Sequence, residues 1–178
     1  MKRVLAISIV LVLLLAGVGT VSALNLVQNP GFENHPSFSG GYKTLIVGSA
    51  DLSPWIITSG SIDLIGSYWT ANSSPNSIDL AGLYQEGTII QNIDTVSTET
   101  YKLSFAMAGN PDAGPYPKRV SVYWDGAEVV GSPFEFNSNG KRHTNMGWTS
   151  HSVSNLEGSS GDTTELKFVD VTGEGTAW

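Results

Sequence analysis

The sequence predicts an all-β domain of β-sandwich or jelly-roll type. Three observations carry that prediction. After position 23, apolar residues alternate or come in short runs and do not recur at helical spacing. Turn residues (Gly, Asn, Ser, Pro) punctuate these runs at short intervals. No heptad, internal repeat or low-complexity linker interrupts the pattern, and roughly nine to eleven short strands fit between the turns.

The first segment stands apart from that domain. Lys2 and Arg3 precede an apolar run from Val4 to Val18, broken only by Ser8 and Gly17. Val21-Ser22-Ala23 then gives small residues at the spacing a signal peptidase reads. The run is short for a membrane span of roughly 20 residues. Residues 1–23 therefore read as a secretory signal peptide, with membrane contact only before cleavage. Residues 24–178 read as one domain, long enough to bury a sizeable core. The chain has no cysteine, which removes thiol catalysis and cysteine metal sites.

The strands follow in order. Asn25 to Asn34, NLVQNPGFEN, reads as the first, with Leu26 and Phe32 inward and Asn29-Pro30-Gly31 turning the chain. Thr44–Val47, Ser61–Ile65 and Ser77–Leu80 are short strands. Thr88–Ile93 and Thr100–Ala108 read as core strands. In the second, Tyr101, Leu103, Phe105 and Met107 share a face, because side chains alternate across a strand. Arg119–Trp124 turns Val120, Val122 and Trp124 one way. Asp125-Gly126 then signals a two-residue hairpin into Ala127–Val130. Ser132–Asn137, Trp148–Leu156 and Thr164–Val171 complete the set.

Charge narrows the partners. The chain carries −7; without Lys2 and Arg3, seven basic residues face sixteen acidic ones. Nucleic acid is a poor partner for such a surface. Neutral polymers and cations fit it better. Lys118-Arg119 and Lys141-Arg142 read as solvated surface pairs.

Catalytic motifs are lacking. There is no Gly-x-Ser-x-Gly elbow, no phosphate loop and no metal spacing among His35, His143 and His151, which read as surface or loop histidines. A glycosidase would need two carboxylates across a cleft, which sequence cannot place. Two loops could bind. AGNPDAGPYPKR, a Pro- and Gly-rich stretch from Ala108 to Arg119, offers Asn110, Asp112 and Tyr116, or serves as a stiff crossover. GKRHTNMGWTSHSV, from Gly140 to Val153, sets Trp148 among hydrogen-bonding residues, as a sugar site would. A tryptophan opening a strand also suits a core. Tyr68-Trp69, at a strand end, reads as the better exposed aromatic pair than Trp55 or Trp124. Asn72-Ser73-Ser74 is an N-glycosylation sequon.

The phrases NLVQNPGFE, SGSIDLIGSYW, SIDLAG, TYKLSFAMAGNPD and TNMGWT occur in that order. As a set they resemble the choice-of-anchor C proteins of bacteria and archaea, a group similar to the domain of unknown function 642 proteins of plant cell walls. The resemblance runs from Asn25 to Val171. It implies a secreted, galactose-binding-like β-sandwich without enzymatic activity, associated in plants with cell-wall polysaccharide. It also implies a closing strand holding Asp-Asn-Val, which does not occur before Trp178. The domain is therefore expected to lack its last strand, leaving an unpaired edge or an uncovered core face. Jelly-roll carbohydrate modules often hold Ca²⁺ near the first strand, so the resemblance offers Glu33 as a ligand of a structural Ca²⁺.

The expected function is a secreted or cell-surface, non-catalytic domain that binds carbohydrate or a cell-envelope polymer through Tyr68, Trp69, Asn110, Asp112, Tyr116 and Trp148. The alternatives are a structural or adhesion protein without a small ligand, and a glycoside-acting hydrolase.

Overall fold

Strand parity builds the sheets of this chain, in a computed structural model that describes residues 24–112 and 117–173. Residues 1–23 and Tyr116 lie outside the described residues. The strands are β1 (Tyr42–Ile46), β2 (Ile56–Ser59), β3 (Ser61–Ile65), β4 (Ser77–Asp79), β5 (Thr88–Asp94), β6 (Thr100–Met107), β7 (Lys118–Trp124), β8 (Ala127–Glu128), β9 (Phe134–Phe136), β10 (Thr149–Glu157) and β11 (Thr163–Asp170). One 3-10 turn, Gly82–Tyr84, follows β4. All strand pairings are antiparallel.

Three sheets make the sandwich. The largest runs β2-β5-β11-β7-β8, with β9 also paired to β7. Against it lie the sheet β1-β3-β4 and the pair β10-β6. Leu103 and Met107 of β6 are buried, while Lys102 and Ser104 on either side of Leu103 are exposed. Phe105 closes on Phe168 of β11 with ring centroids 5.4 Å apart. Tyr101 meets Trp124 of β7 at 5.9 Å. These contacts join the sheets around one core, which includes Ile57, Leu64, Ile89, Val122 and Leu166. The β7–β8 turn takes the left-handed backbone that the Asp-Gly signal requires, with φ of 51° at Asp125 and 78° at Gly126.

Three expectations need correction. The segment around Asn25–Asn34 is not a strand. The Asn29 side chain instead brackets Asn34, accepting from its N–H at 2.9 Å and donating to its carbonyl at 3.2 Å. The buried carboxamide of Gln91 takes both backbone groups of Gln28, at 2.7 and 2.9 Å. Side chains thus supply the bonds that a strand ladder would have made. Leu26 and Phe32 still pack against the core. Second, a strand not expected from the sequence, β2, pairs with β5. Third, Lys118 is not a surface residue: it is 0% exposed and sits with Asp79 and Asp170, while its neighbour Arg119 pairs with Glu135 at 2.7 Å.

Among the described residues, β4 pairs only with β3 and β6 only with β10. A cleft of about 330 Å³ lies between their open edges. Consecutive residues of each strand line it, Ser77 to Leu80 on one side and Leu103 to Ala108 on the other. A strand showing only one face would contribute alternate residues. The cleft therefore reaches the strand edges themselves.

Candidate functional site

Three loops converge at one end of the sandwich: those after β3, after β6 and before β10. Hydrogen bonds tie two of them together. Thr70 N–H donates to the His143 carbonyl at 2.8 Å, and Trp148 Nε1 donates to the Thr70 carbonyl at 2.9 Å. Arg142 and Asn145 exchange backbone bonds at 3.2 and 2.8 Å, closing the turn that carries His143.

The exposed cluster centres on Asp112. Tyr68 donates its hydroxyl to Asp112 Oδ2 at 2.7 Å, and His143 Nε2 lies 2.7 Å from Asp112 Oδ1. The Tyr68 and His143 rings stand 4.6 Å apart, and Tyr42 meets Tyr68 edge-on at 5.4 Å. Tyr42 is 48% exposed and Tyr68 36%. Gly41 permits this packing, since a Cβ there would sit 3.1 Å from Tyr68 Cβ. One carboxylate thus fixes two rings that 75 residues of sequence separate in a single frame.

The expected residues divide between two places. Tyr68 and Asp112 meet in the exposed cluster. Trp69, Asn110 and Trp148 line the cleft. Trp69 is only 6% exposed and donates Nε1 to buried Ser77 Oγ at 2.9 Å, so it belongs to the core and is not the exposed aromatic expected of it. Trp148 is half-buried, and its indole N–H is taken by Thr70. Asn110 is buried and spends its amide inside the protein: Nδ2 donates to Asp79 Oδ2 at 3.2 Å, and Oδ1 accepts from Asp112 N–H at 3.0 Å. Asn110 is therefore a positioning residue. His143 and Tyr42 belong to the cluster and were not anticipated. A lone histidine in a polar run carries no local signal, and Tyr42 opens a short strand.

Beneath the cluster lies a buried polar group. Asp79 is 4% exposed and accepts from Ala81 N–H and Asn110. Burial pushes its pKa up to about 7, against the pull of those two bonds, with Asp63 and Asp170 adding to the rise. Burial lowers the pKa of Lys118, while Asp79 and Asp170 oppose that. Asp63 is also raised, first by burial, with its Thr44 bond opposing.

The chemistry of the cleft bears on hydrolysis and on metal. Asp79 is the one carboxylate among the cleft's described lining residues, so no facing pair is assembled there. No serine or threonine hydroxyl hydrogen-bonds the His143 ring among the described residues. Glu33 is exposed, its carboxylate close to Gly31, and among the described residues no group of three or more His, Asp or Glu side chains is placed to hold a metal.

A family model described as "Protein of unknown function (DUF642)" matches residues 25–178. Halomucin of Haloquadratum walsbyi is 36% identical over 131 residues, which is 68% of this chain and 1% of Halomucin. The chain therefore spans only about a hundredth of that relative's length. A family 35 carbohydrate binding module from Clostridium thermocellum superposes with a TM-score of 0.44 at 16% identity, covering 76% of this chain and 92% of the module.

Proposed function

This chain belongs to the DUF642 family, and we propose that it is an exported, non-catalytic domain that binds carbohydrate at the Tyr42–Tyr68–Asp112–His143 cluster. One observation carries the reading: exposed rings are locked in place by a carboxylate that keeps acceptor capacity of its own. A carboxylate offers about four lone-pair sites. Tyr68 and His143 engage one oxygen each, which leaves capacity for sugar hydroxyls. Aromatic rings give sugar C–H faces a flat apolar partner, with the hydroxyl of Tyr68 as a polar handle. A site already held in its binding geometry spends less free energy on ordering. Export rests on the leader at residues 1–23, and the choice-of-anchor C resemblance belongs to the same reading.

The test is a glycan array and polysaccharide pull-down with residues 24–178, beside Tyr68→Ala and His143→Ala. The expected result is retention of at least one glycan by the parent and loss of about tenfold in affinity in each variant, on the scale of one aromatic contact. Absence of any glycan hit defeats the reading.

A second reading has its own observation. Among the described residues the unpaired edges of β4 and β6 flank an apolar cleft, and such edges accept a strand from another polypeptide. This adhesion reading expects concentration-dependent association in sedimentation velocity. A single monomeric species at all concentrations removes it.

A further inference from the structure

We infer that the glycan taken at the Tyr68 cluster is acidic, carrying a carboxylate or a sulfate ester that Arg142 and Lys141 receive. This rests on the carbohydrate reading above and names the substrate class for the same site.

The argument starts from where the positive charge goes. Seven Lys and Arg lie among the described residues: Lys43, Lys102, Lys118, Arg119, Lys141, Arg142 and Lys167. Lys43 pairs with Asp51, Arg119 with Glu135, and Lys167 with Glu165. Lys118 is buried beside Asp79 and Asp170. Lys102 stands alone on the exposed face of β6. Only Lys141 and Arg142 are adjacent, exposed and outside any ion pair among the described residues. They adjoin the aromatic cluster, sharing a surface depression with Pro111, Asp112, His143 and Thr144.

Their placement is defined by the fold. Arg142 sits in the turn closed by its own backbone exchange with Asn145. Lys141 N–H donates to the Ser138 carbonyl at 3.0 Å. The Lys141 side chain lies across Gly147, where a Cβ would come within 2.7 Å of Nζ. The backbone φ of 69° at Gly147 is one that a side chain rarely adopts, so glycine keeps that path clear.

The chemistry follows. Asp112 is held by Tyr68 and His143, and no ion pair joins it to Lys141 or Arg142 among the described residues. Two unpartnered cations beside a sugar-stacking ledge, on a chain of net charge −7, are a local reversal of sign. The guanidinium fork matches a carboxylate or sulfate with two parallel bonds, and the ammonium adds a point charge. The two cations favour an acidic glycan over a neutral one at this ledge, while the acidic remainder of the surface repels polyanions that lack a sugar ring to stack.

The experiment measures binding of polygalacturonate, dextran sulfate and neutral galactan to residues 24–178, at about 20 and about 500 mM NaCl, where the screening lengths differ several-fold. The expected result is at least about fivefold tighter binding of an acidic polymer than of galactan at low salt, with the ratio falling toward one at high salt. The polymer giving the larger ratio separates carboxylate from sulfate. The double variant Lys141→Gln, Arg142→Gln should bring the ratio to about one with an unchanged melting temperature, since both side chains are exposed. Equal binding of neutral and acidic polymers, or a ratio the double variant leaves intact, overturns this inference and leaves the carbohydrate reading standing. No binding to any of the three, together with an empty array, overturns both.

Discussion

Asp79→Asn isolates the buried carboxyl and tests the electrostatics of the core. Asp79 faces Asp63 across the β3–β4 pair and feels Asp170 and Lys118 from β11 and β7. Its pKa stands at about 7 in the folded chain, against about 3.9 for an unfolded aspartate. A gap of about 3 units is worth about 4 kcal/mol at 1.36 kcal/mol per unit. The sign follows from proton counting. Between about pH 4 and 7 the unfolded chain has released this proton and the folded chain has not, so stability falls as pH rises. Above about 7 both states are ionised and the loss stops. Asparagine does not titrate, and it sets its NH₂ against the amide of Asn110, a fixed cost at every pH. The variant should therefore start less stable than the parent at pH 4. It should gain on the parent by up to about 4 kcal/mol by pH 8. Urea unfolding followed by tryptophan fluorescence, at five pH values for both proteins, measures the difference. Parallel stability curves would falsify the assignment of a proton to Asp79.

Three further outcomes are expected. Gln91→Ala removes both bonds to Gln28 and should cost about 2 kcal/mol at about 1 per bond; urea midpoints read this, and an unchanged midpoint means the N-terminal segment is not docked. Gly60→Ala, between β2 and β3, puts a Cβ 2.2 Å from the Glu86 carbonyl oxygen at a φ of 58°, so a loss of about 2 kcal/mol or more is expected; a melting temperature equal to the parent's would contradict that backbone placement. Tyr68→Phe keeps the ring and loses the bond to Asp112, so glycan affinity should drop less than in Tyr68→Ala; equal losses in titration calorimetry would assign the whole effect to the hydroxyl.

Local pattern made most strands legible, and its failures have identifiable causes. Alternation in Thr100–Ala108 and the Asp125-Gly126 pair each state one backbone geometry, and β6 and the β7–β8 turn adopt them. β2 spans only Ile56–Ser59 after the apolar run Trp55-Ile56-Ile57, too short to show a period. NLVQNPGFEN has strand-like composition, but the backbone groups of Gln28 and Asn34 are taken by the side chains of Gln91 and Asn29. Gln91 lies 63 residues from Gln28, where no window reaches it. Lys118 was legible after all. It shares the parity of Val120, Val122 and Trp124, so the alternation that sends those inward sends Lys118 inward too, and Arg119 outward to Glu135. Its charge obscured a placement that the strand period dictates.

The site shows the same limit from the other side. Composition selected Tyr68, Asn110 and Asp112 as a loop aromatic and two polar loop residues, but roles come from contacts that only the fold makes. A continuous set of hydrogen bonds runs from buried Asp79 through Asn110 to the backbone of Asp112, and from the Asp112 carboxylate to Tyr68 and His143. Asn110 bridges the interior and the exposed cluster, so an Asn110→Ala change acts on binding through Asp112 and on stability through Asp79. Buried polar groups need partners, and here the partner of a core carboxyl is also the anchor of a surface site. The placement of the candidate ligand residues is in this way a consequence of satisfying the core.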